Sequence, residues 1–202
     1  DMHIFPQTQP VPLPWEPGVA ISFANIIGMD HKPVSVDSRR VLERQVNRAK
    51  QLGYEIMVGT ELEFFLLDPA TKKPKDEGIQ VYSLERASEL EHVLGPIRRH
   101  LTTCGIPIEQ SNPEYASGQV EVNIKYDDPL TSADRVIMFR SLVKQIARQH
   151  GYLATFMPKP FLDASGSGFH CHYSLWHKTR NIFSNNGKFS EEGEYFIGGM
   201  QK

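Results

Sequence analysis

The stretch "GTELEFFLLDP", residues 59–69, decides how the chain is read. Leu62, Phe64, Phe65, Leu66 and Leu67 spell a buried β-strand, yet Glu61 and Glu63 stand among them two positions apart. Side chains at i and i+2 of a strand share a face and lie about 6.5 Å apart, so the two carboxylates point the same way. Buried on that face with no cation, they would repel each other and lose their hydration, at several kcal/mol each. The pattern therefore calls for water or something positive beside them.

The same pattern recurs twice downstream. In "GQVEVNIK" Gln119, Glu121, Asn123 and Lys125 fall on one face and Val120, Val122 and Ile124 on the other. In "GFHCHYSLW" His170, His172 and Ser174 share a face opposite Phe169, Cys171, Tyr173 and Leu175. Any one of these rows could be a half-exposed strand with its polar face in solvent. An outward face usually mixes Lys, Thr and Arg among its acids, whereas these rows hold acids and imidazoles with the single lysine Lys125. The three strands are expected to line one wet cavity.

Carboxylate oxygens with one or two imidazoles, and no thiolate-rich set, suit Mg²⁺ or Mn²⁺ better than structural zinc. Glu61, Glu63, Glu121 and Glu114, the last in "SNPEYASGQ", suffice for more than one such ion. Paired divalent ions are typical of phosphoryl chemistry, where they bridge and neutralise phosphate oxygens. The loop "DASGSGFH" adds a donor-rich backbone able to approach a ligand closely.

Composition narrows the partners. Lys+Arg 22 against Asp+Glu 24 gives a net charge of -2 with no long run of one sign, so neither nucleic acid nor an anionic membrane is favoured. The longest mostly apolar run, "GVAISFANIIGM", is too short to span a bilayer. Cys104 and Cys171 are too few for a disulfide framework and match no zinc motif, which makes a reducing, cytoplasmic setting the expectation.

Around these strands the chain reads as mixed helix and strand without regular βαβ alternation. The expected class is α+β, built on a mainly antiparallel sheet with flanking helices. Residues 6–17 hold five prolines and read as an extended connector, followed by one strand in "GVAISFANII". A helix capped by Asp37 or Ser38 and stopped by Gly53 would bury Val41, Leu42, Val46, Ala49 and Leu52. Helical material over 83–104 should be bent or divided at Gly95-Pro96. "SADRVIMFRSLVKQIARQHG" is the clearest helix, with Val136, Phe139, Val143 and Ile146 on one face. A domain boundary is expected near residue 36.

In this order and at these separations, "GTELEFFLLDP", "NPEYASGQVEVN", "ATFMPKP" and "GSGFHCHYSL" resemble the glutamine synthetase family of ATP-dependent ammonia or amine ligases. The resemblance implies a curved antiparallel sheet forming a funnel that holds divalent metals, with ATP entering at one end and glutamate at the other. It implies one metal on Glu63, Glu114 and Glu121, and a second on Glu61 and His170 with a further glutamate beyond residue 202. By the same carry-over Glu109, His172 and Ser174 would contact the nucleotide, while Gly166 and the Ser165 backbone would face the amino-acid substrate. Residues 1–36 would be the tail of a β-grasp-like first domain and residues 37–202 the start of the catalytic domain.

The implied chemistry is transfer of the ATP γ-phosphoryl group to glutamate, followed by displacement of phosphate by ammonia or an amine. The implied assembly is a ring-forming homo-oligomer, in which the 202 residues alone would be inactive. The Glu114 to Glu121 interval resembles the eukaryotic-type and γ-glutamylpolyamine branches, and Ser165 stands where the bacterial ammonia-using branch usually has Asn. Gln7 stands where Asp is usual. A different class of function, a catalytically silent relative kept as a scaffold, is the alternative.

Overall fold

Two short antiparallel pairs open the chain, which the computed structural model describes over residues 1–202: β1 (Met2–Pro6) with β4 (Ala24–Gly28), and β2 (Val11–Pro12) with β3 (Ala20–Ile21). The expected single strand over "GVAISFANII" is thus two strands. At the break Ser22 Oγ donates to the Thr8 carbonyl (2.7 Å) and Phe23 N–H donates to Thr8 Oγ1 (2.9 Å), so side-chain bonds replace a continuous ladder. The proline-rich connector is anchored by Leu13, which is buried in the main core.

Helix α1 (Ser38–Gln51) starts where Asp37 accepts from Arg39 N–H and ends before Gly53, whose φ of +84° suits only a residue without a Cβ. Of its expected apolar stripe only Val46 is buried; Leu42 and Ala49 are half-buried, and Val41 and Leu52 are exposed. The long strand β5 (Glu55–Leu67) follows, then a loop and helix α2 (Leu84–Thr103). The expected division at Gly95-Pro96 does not occur, and α2 runs unbroken through both residues. A residue before proline avoids helical dihedrals because its Cβ meets the proline ring, and Gly95 has none. Buried Leu90, Val93, Leu94, Ile97 and Leu101 hold the helix on the sheet across the one missing hydrogen bond.

Strands β6 (Ile108–Pro113) and β7 (Gln119–Asp127) form a hairpin, helix α3 (Pro129–Gln149) is capped by Asp128, and β8 (Leu153–Thr155) and β9 (Phe169–His177) complete the main strands. Short strands β10 (Arg180–Asn181), β11 (Ser184–Asn185) and β12 (Lys188–Phe189) lead to α4 (Glu191–Met200). The main sheet is antiparallel in every pairing, in the order β10-β9-β5-β7-β6, with β8 pairing to the far end of β5. A register shift between Val58 and Thr60 interrupts the β5–β7 ladder, and the hydroxyl of buried Ser132 on α3 donates to the Val58 carbonyl there (2.8 Å).

One face of this sheet is the core. Leu62, Phe64 and Leu66 of β5 and Val120, Val122 and Ile124 of β7 pack with apolar residues of α2 and α3, including the expected Val136, Phe139, Val143 and Ile146. The alternate residues are delivered to the other face by the period of two alone. Phe139, fully buried and edge-on to Phe64 at 6.3 Å and Phe156 at 5.9 Å, sits at the centre of the packing. Phe139→Ala is expected to cost about 3–5 kcal/mol in urea or thermal unfolding, as large-to-small core changes do. Arg148→Ala on the exposed side of the same helix should stay within about 0.5 kcal/mol.

Candidate functional site

The register sets the three polar rows side by side. Glu61 is opposite His170 on β9 and Asn123 on β7, Gly59 is opposite His172, and Glu63 is opposite Glu121. The wet-face alternative fails for β7, where Gln119, Glu121 and Asn123 are all buried.

Glu114 joins from the β6–β7 hairpin. Glu114 N–H donates to the Gln119 carbonyl (2.8 Å) and Gln119 N–H to the Ala116 carbonyl (2.9 Å), which closes the turn. Gly118 completes it at φ +70°, where an added Cβ would lie 2.7 Å from the Leu66 carbonyl oxygen. The result is that one ligand atom each from Glu63, Glu114 and Glu121 lies within 4.8 Å of the others.

No lysine or arginine forms an ion pair with these three acids. Their compensation comes from neutral donors: Gln119 Nε2 and Gly168 N–H each donate to Glu63 Oε2 at 2.9 Å, and Asn112 Nδ2 donates to Glu114 Oε1 at 3.1 Å. That is too little for three charges. Burial, then a hydrogen bond with Glu114, pushes the Glu121 carboxyl up to about 7 from its ordinary 4.5. The negative field reaches the mouth of the site, where the charge of Glu114 leads the causes that hold the Tyr82 phenol above its usual range. Three oxygen donors with no basic side chain paired to them, already competing for a proton, match a hard divalent ion such as Mg²⁺ or Mn²⁺.

Glu61 belongs to a second group. Its Oε2 lies 3.1 Å from His170 Nδ1 and its Oε1 3.0 Å from His172 Nε2, with both imidazoles more than half exposed. A carboxylate flanked by two imidazoles can hold a divalent ion or share a proton with either ring. Glu61 and Glu63, the puzzle of the opening stretch, thus serve two neighbouring clusters rather than one.

The remaining sequence-derived positions separate towards two ends of this face. Glu109, His172 and Ser174 line one cavity of about 280 Å³ together with Glu61, Asn123 and Tyr126. Ser174 Oγ is held by Trp176 Nε1–H at 2.9 Å. Ser165 lines a different cavity of about 600 Å³ with Tyr115 and Phe161. The Gly166 carbonyl accepts from Gln119 Nε2 at 2.9 Å. Every position singled out in the sequence is therefore on or beside one sheet face.

Two residues that sequence reasoning left without a role are prominent here. Gln119 was legible as a polar residue on the right row, but its partners, Glu63 and Gly166, are 56 and 47 residues away in sequence. Gly168 gave a signal only as a loop glycine; an added Cβ would meet Glu63 Oε1 and His170 Nε2, each at 2.7 Å.

Known proteins resemble this chain in both sequence and fold. The family model described as the glutamine synthetase catalytic domain matches residues 35–202. A glutamate–isopropylamine ligase of Pseudomonas sp is 33% identical over 99% of this chain and 47% of its own length. A glutamine synthetase of Rhizobium meliloti (strain 1021) is 37% identical over 100% of this chain and 48% of its own. Among solved structures, a GmaS/ADP complex superposes with a TM-score of 0.91 at 32% identity, covering 99% of this chain and 48% of that one. The chain spans about half the length of the curated relatives it matches. Family model, relatives and sheet geometry lead to one conclusion: the chain belongs to the glutamine synthetase family.

Proposed function

We propose that the protein to which this chain belongs is an ATP-dependent carbon–nitrogen ligase that forms a γ-glutamyl amide from glutamate and ammonia or a small primary amine. The observation that carries the proposal is the gathering of Glu63, Glu114 and Glu121 within 4.8 Å, beside a Glu61 flanked by His170 and His172. The donor sets support a ligase over a silent scaffold, because a scaffold has no need to hold acids at such cost. Relatives named as a glutamine synthetase and as a glutamate–isopropylamine ligase match at comparable identity, which supports an acceptor drawn from ammonia and simple amines.

In this reading Glu63, Glu114 and Glu121 hold one Mg²⁺ or Mn²⁺, and Glu61 with His170 holds a second. Bound divalent ions would supply charge neutralisation for phosphate oxygens and for the carboxylate that attacks them. Glu109, His172 and Ser174 position the nucleotide at one end, and Ser165 and Gly166 meet glutamate at the other. A glutamate γ-carboxylate oxygen takes the ATP γ-phosphoryl group, leaving ADP. The amine nitrogen then bonds to the γ-carbonyl carbon as phosphate leaves, and a proton is lost from nitrogen. Residues 1–36 are read as the tail of a preceding domain, and the working form as a cytoplasmic homo-oligomer that these 202 residues alone do not complete. No helix of the chain is long and apolar enough to cross a membrane.

The deciding experiment is titration of Mn²⁺ into the full-length protein, followed by glutamate-dependent phosphate release from ATP with ammonia and a series of primary amines. Tight metal binding without phosphate from any acceptor would favour the scaffold. Glu63→Gln and Glu121→Gln should each weaken Mn²⁺ binding at least about tenfold, since even outer-shell changes at metal sites cost that much. Phosphate release should fall with it.

The raised Glu121 carboxyl also sets a pH dependence. The Glu121 carboxyl titrates near 7 when folded and near 4.5 ordinarily, so its proton favours the folded state below pH 4.5, and that contribution is lost as pH rises through 7. A divalent ion selects the ionised form and opposes this trend. Calorimetry in buffers of different ionisation enthalpy should show a proton released on Mn²⁺ binding near pH 6, and Mn²⁺ affinity should rise with pH up to about 7.

A further inference from the structure

Gln119 is 1% exposed, and both the nitrogen and the oxygen of its side-chain amide are hydrogen-bonded inside the protein. Its Nε2 carries two hydrogens and meets two acceptors at 2.9 Å, Glu63 Oε2 and the Gly166 carbonyl oxygen. Its Oε1 accepts from Ala116 N–H at 3.2 Å, within the hairpin that presents Glu114. The amide orientation is fixed by this environment, because flipping it would set an oxygen against two oxygens and a donor against a donor. The amide itself lies beyond the reach of water while Glu63 is half-buried and Gly166 exposed, so moving the amide costs chiefly its own unpaired donors.

These contacts join two places that otherwise meet through few bonds. One is the carboxylate cluster; the other is the 163–168 loop, which also sends Gly168 N–H to the same Glu63 oxygen at 2.9 Å. We infer that Gln119 is a positioning residue that couples the two, so that a divalent cation on the carboxylate cluster and the amino-acid substrate at the loop each tighten the binding of the other. The inference rests on the ligase reading above. Its physical content is that Glu63 cannot settle on a cation without fixing the amide, and the amide cannot turn without releasing Gly166. A coupling of this kind is reciprocal by necessity.

The test is calorimetric titration of Mn²⁺ into the full-length protein with and without saturating glutamate, for wild type, Gln119→Met and Gln80→Met. Gln119→Met keeps the length of the side chain and removes its donors. Gln80 Nε2 donates to the Gln119 backbone carbonyl at 2.8 Å and is itself buried, so Gln80→Met breaks a neighbouring bond of the same kind without touching the Gln119 amide. In wild type glutamate should tighten Mn²⁺ at least about fivefold, the lower end of usual couplings, and in Gln119→Met the ratio should shrink to within about twofold. The glutamate KM should rise about tenfold with a smaller change in kcat, as outer-shell losses do. Gln80→Met should lower the melting temperature and keep the wild-type ratio.

A Gln119→Met protein that is merely less stable, with the wild-type ratio intact, overturns the inference and leaves the ligase reading standing. A wild type in which glutamate does not affect Mn²⁺ overturns it as well. A wild type that binds neither Mn²⁺ nor glutamate overturns the ligase reading and this inference together. Should Gln119→Met fail to fold, Gln119→Leu, which likewise removes the donors without adding a charge to the cluster, is judged by the same ratio.

Discussion

Holding three carboxylates within 4.8 Å of one another with no basic side chain among them is the constraint on which the rest of the structure depends. Two full charges at about that separation repel by roughly 3–4 kcal/mol at an effective dielectric of about 20. Left to itself such a cluster would spread apart or take up protons, and the Glu121 carboxyl, pushed up to about 7, leans towards the second. It does not do the first because Glu63 and Glu121 face each other across a continuous ladder and Glu114 is locked by a turn that closes on Gly118. The backbone fixes the geometry, and the charges must accommodate it.

The stability that permits this comes from the other side of the same strands. Leu62, Phe64 and Leu66 alternate with Glu61, Glu63 and Phe65, so the residues that build the core and those that build the site are interleaved one by one. A slip of one residue in β5 would put the acids into the core and the core into the cavity. Register is therefore determined jointly by both faces. On the site face the polar row of β5 ends at Phe65, which is fully buried and edge-on to Phe161 at 5.6 Å, so an aromatic pair closes the charged floor at the end where Ser165 lies.

The period of two carried most of what the sequence revealed. It gathered Glu61 with Glu63, Gln119 with Glu121, and His170 with His172 and Ser174 on the polar faces of their strands before any pairing was known, and "SNPEYASGQ" supplied Glu114 as a further oxygen ligand. Where local rules met tertiary packing they gave way: Gly95-Pro96 reads as a break, yet the core contacts of Val93, Leu94 and Ile97 carry α2 through it. The face of β9 opposite the histidines reads as buried, but Phe169 and Tyr173 border an open groove beside α1 and α3, because β9 and α1 are covered there only in part. Partners were the least legible. Nothing local in the spelling of Gln119 distinguishes a solvated amide from one whose bonds reach Glu63 and Gly166, since those contacts exist only after β5, β7 and the 163–168 loop have come together.

This division between strand and loop has a consequence for how the site works. Glu61, Glu63, Glu121 and His170 are borne on paired strands, whose positions are set to within the tolerance of a ladder. Ser165 and Gly166 lie on a loop bounded by the Pro158 to Pro160 segment, tied by Ser167 N–H to the Pro158 carbonyl at 2.8 Å and by the Lys159 ammonium on the Ala164 carbonyl. Elements with few buried apolar contacts open first, so the Ser165–Gly166 end is the compliant part of the face and the carboxylate end the rigid part. A cluster set by paired strands, next to a loop joined to it through Gln119 and Gly168, is the arrangement in which order at one end can be imposed on the other.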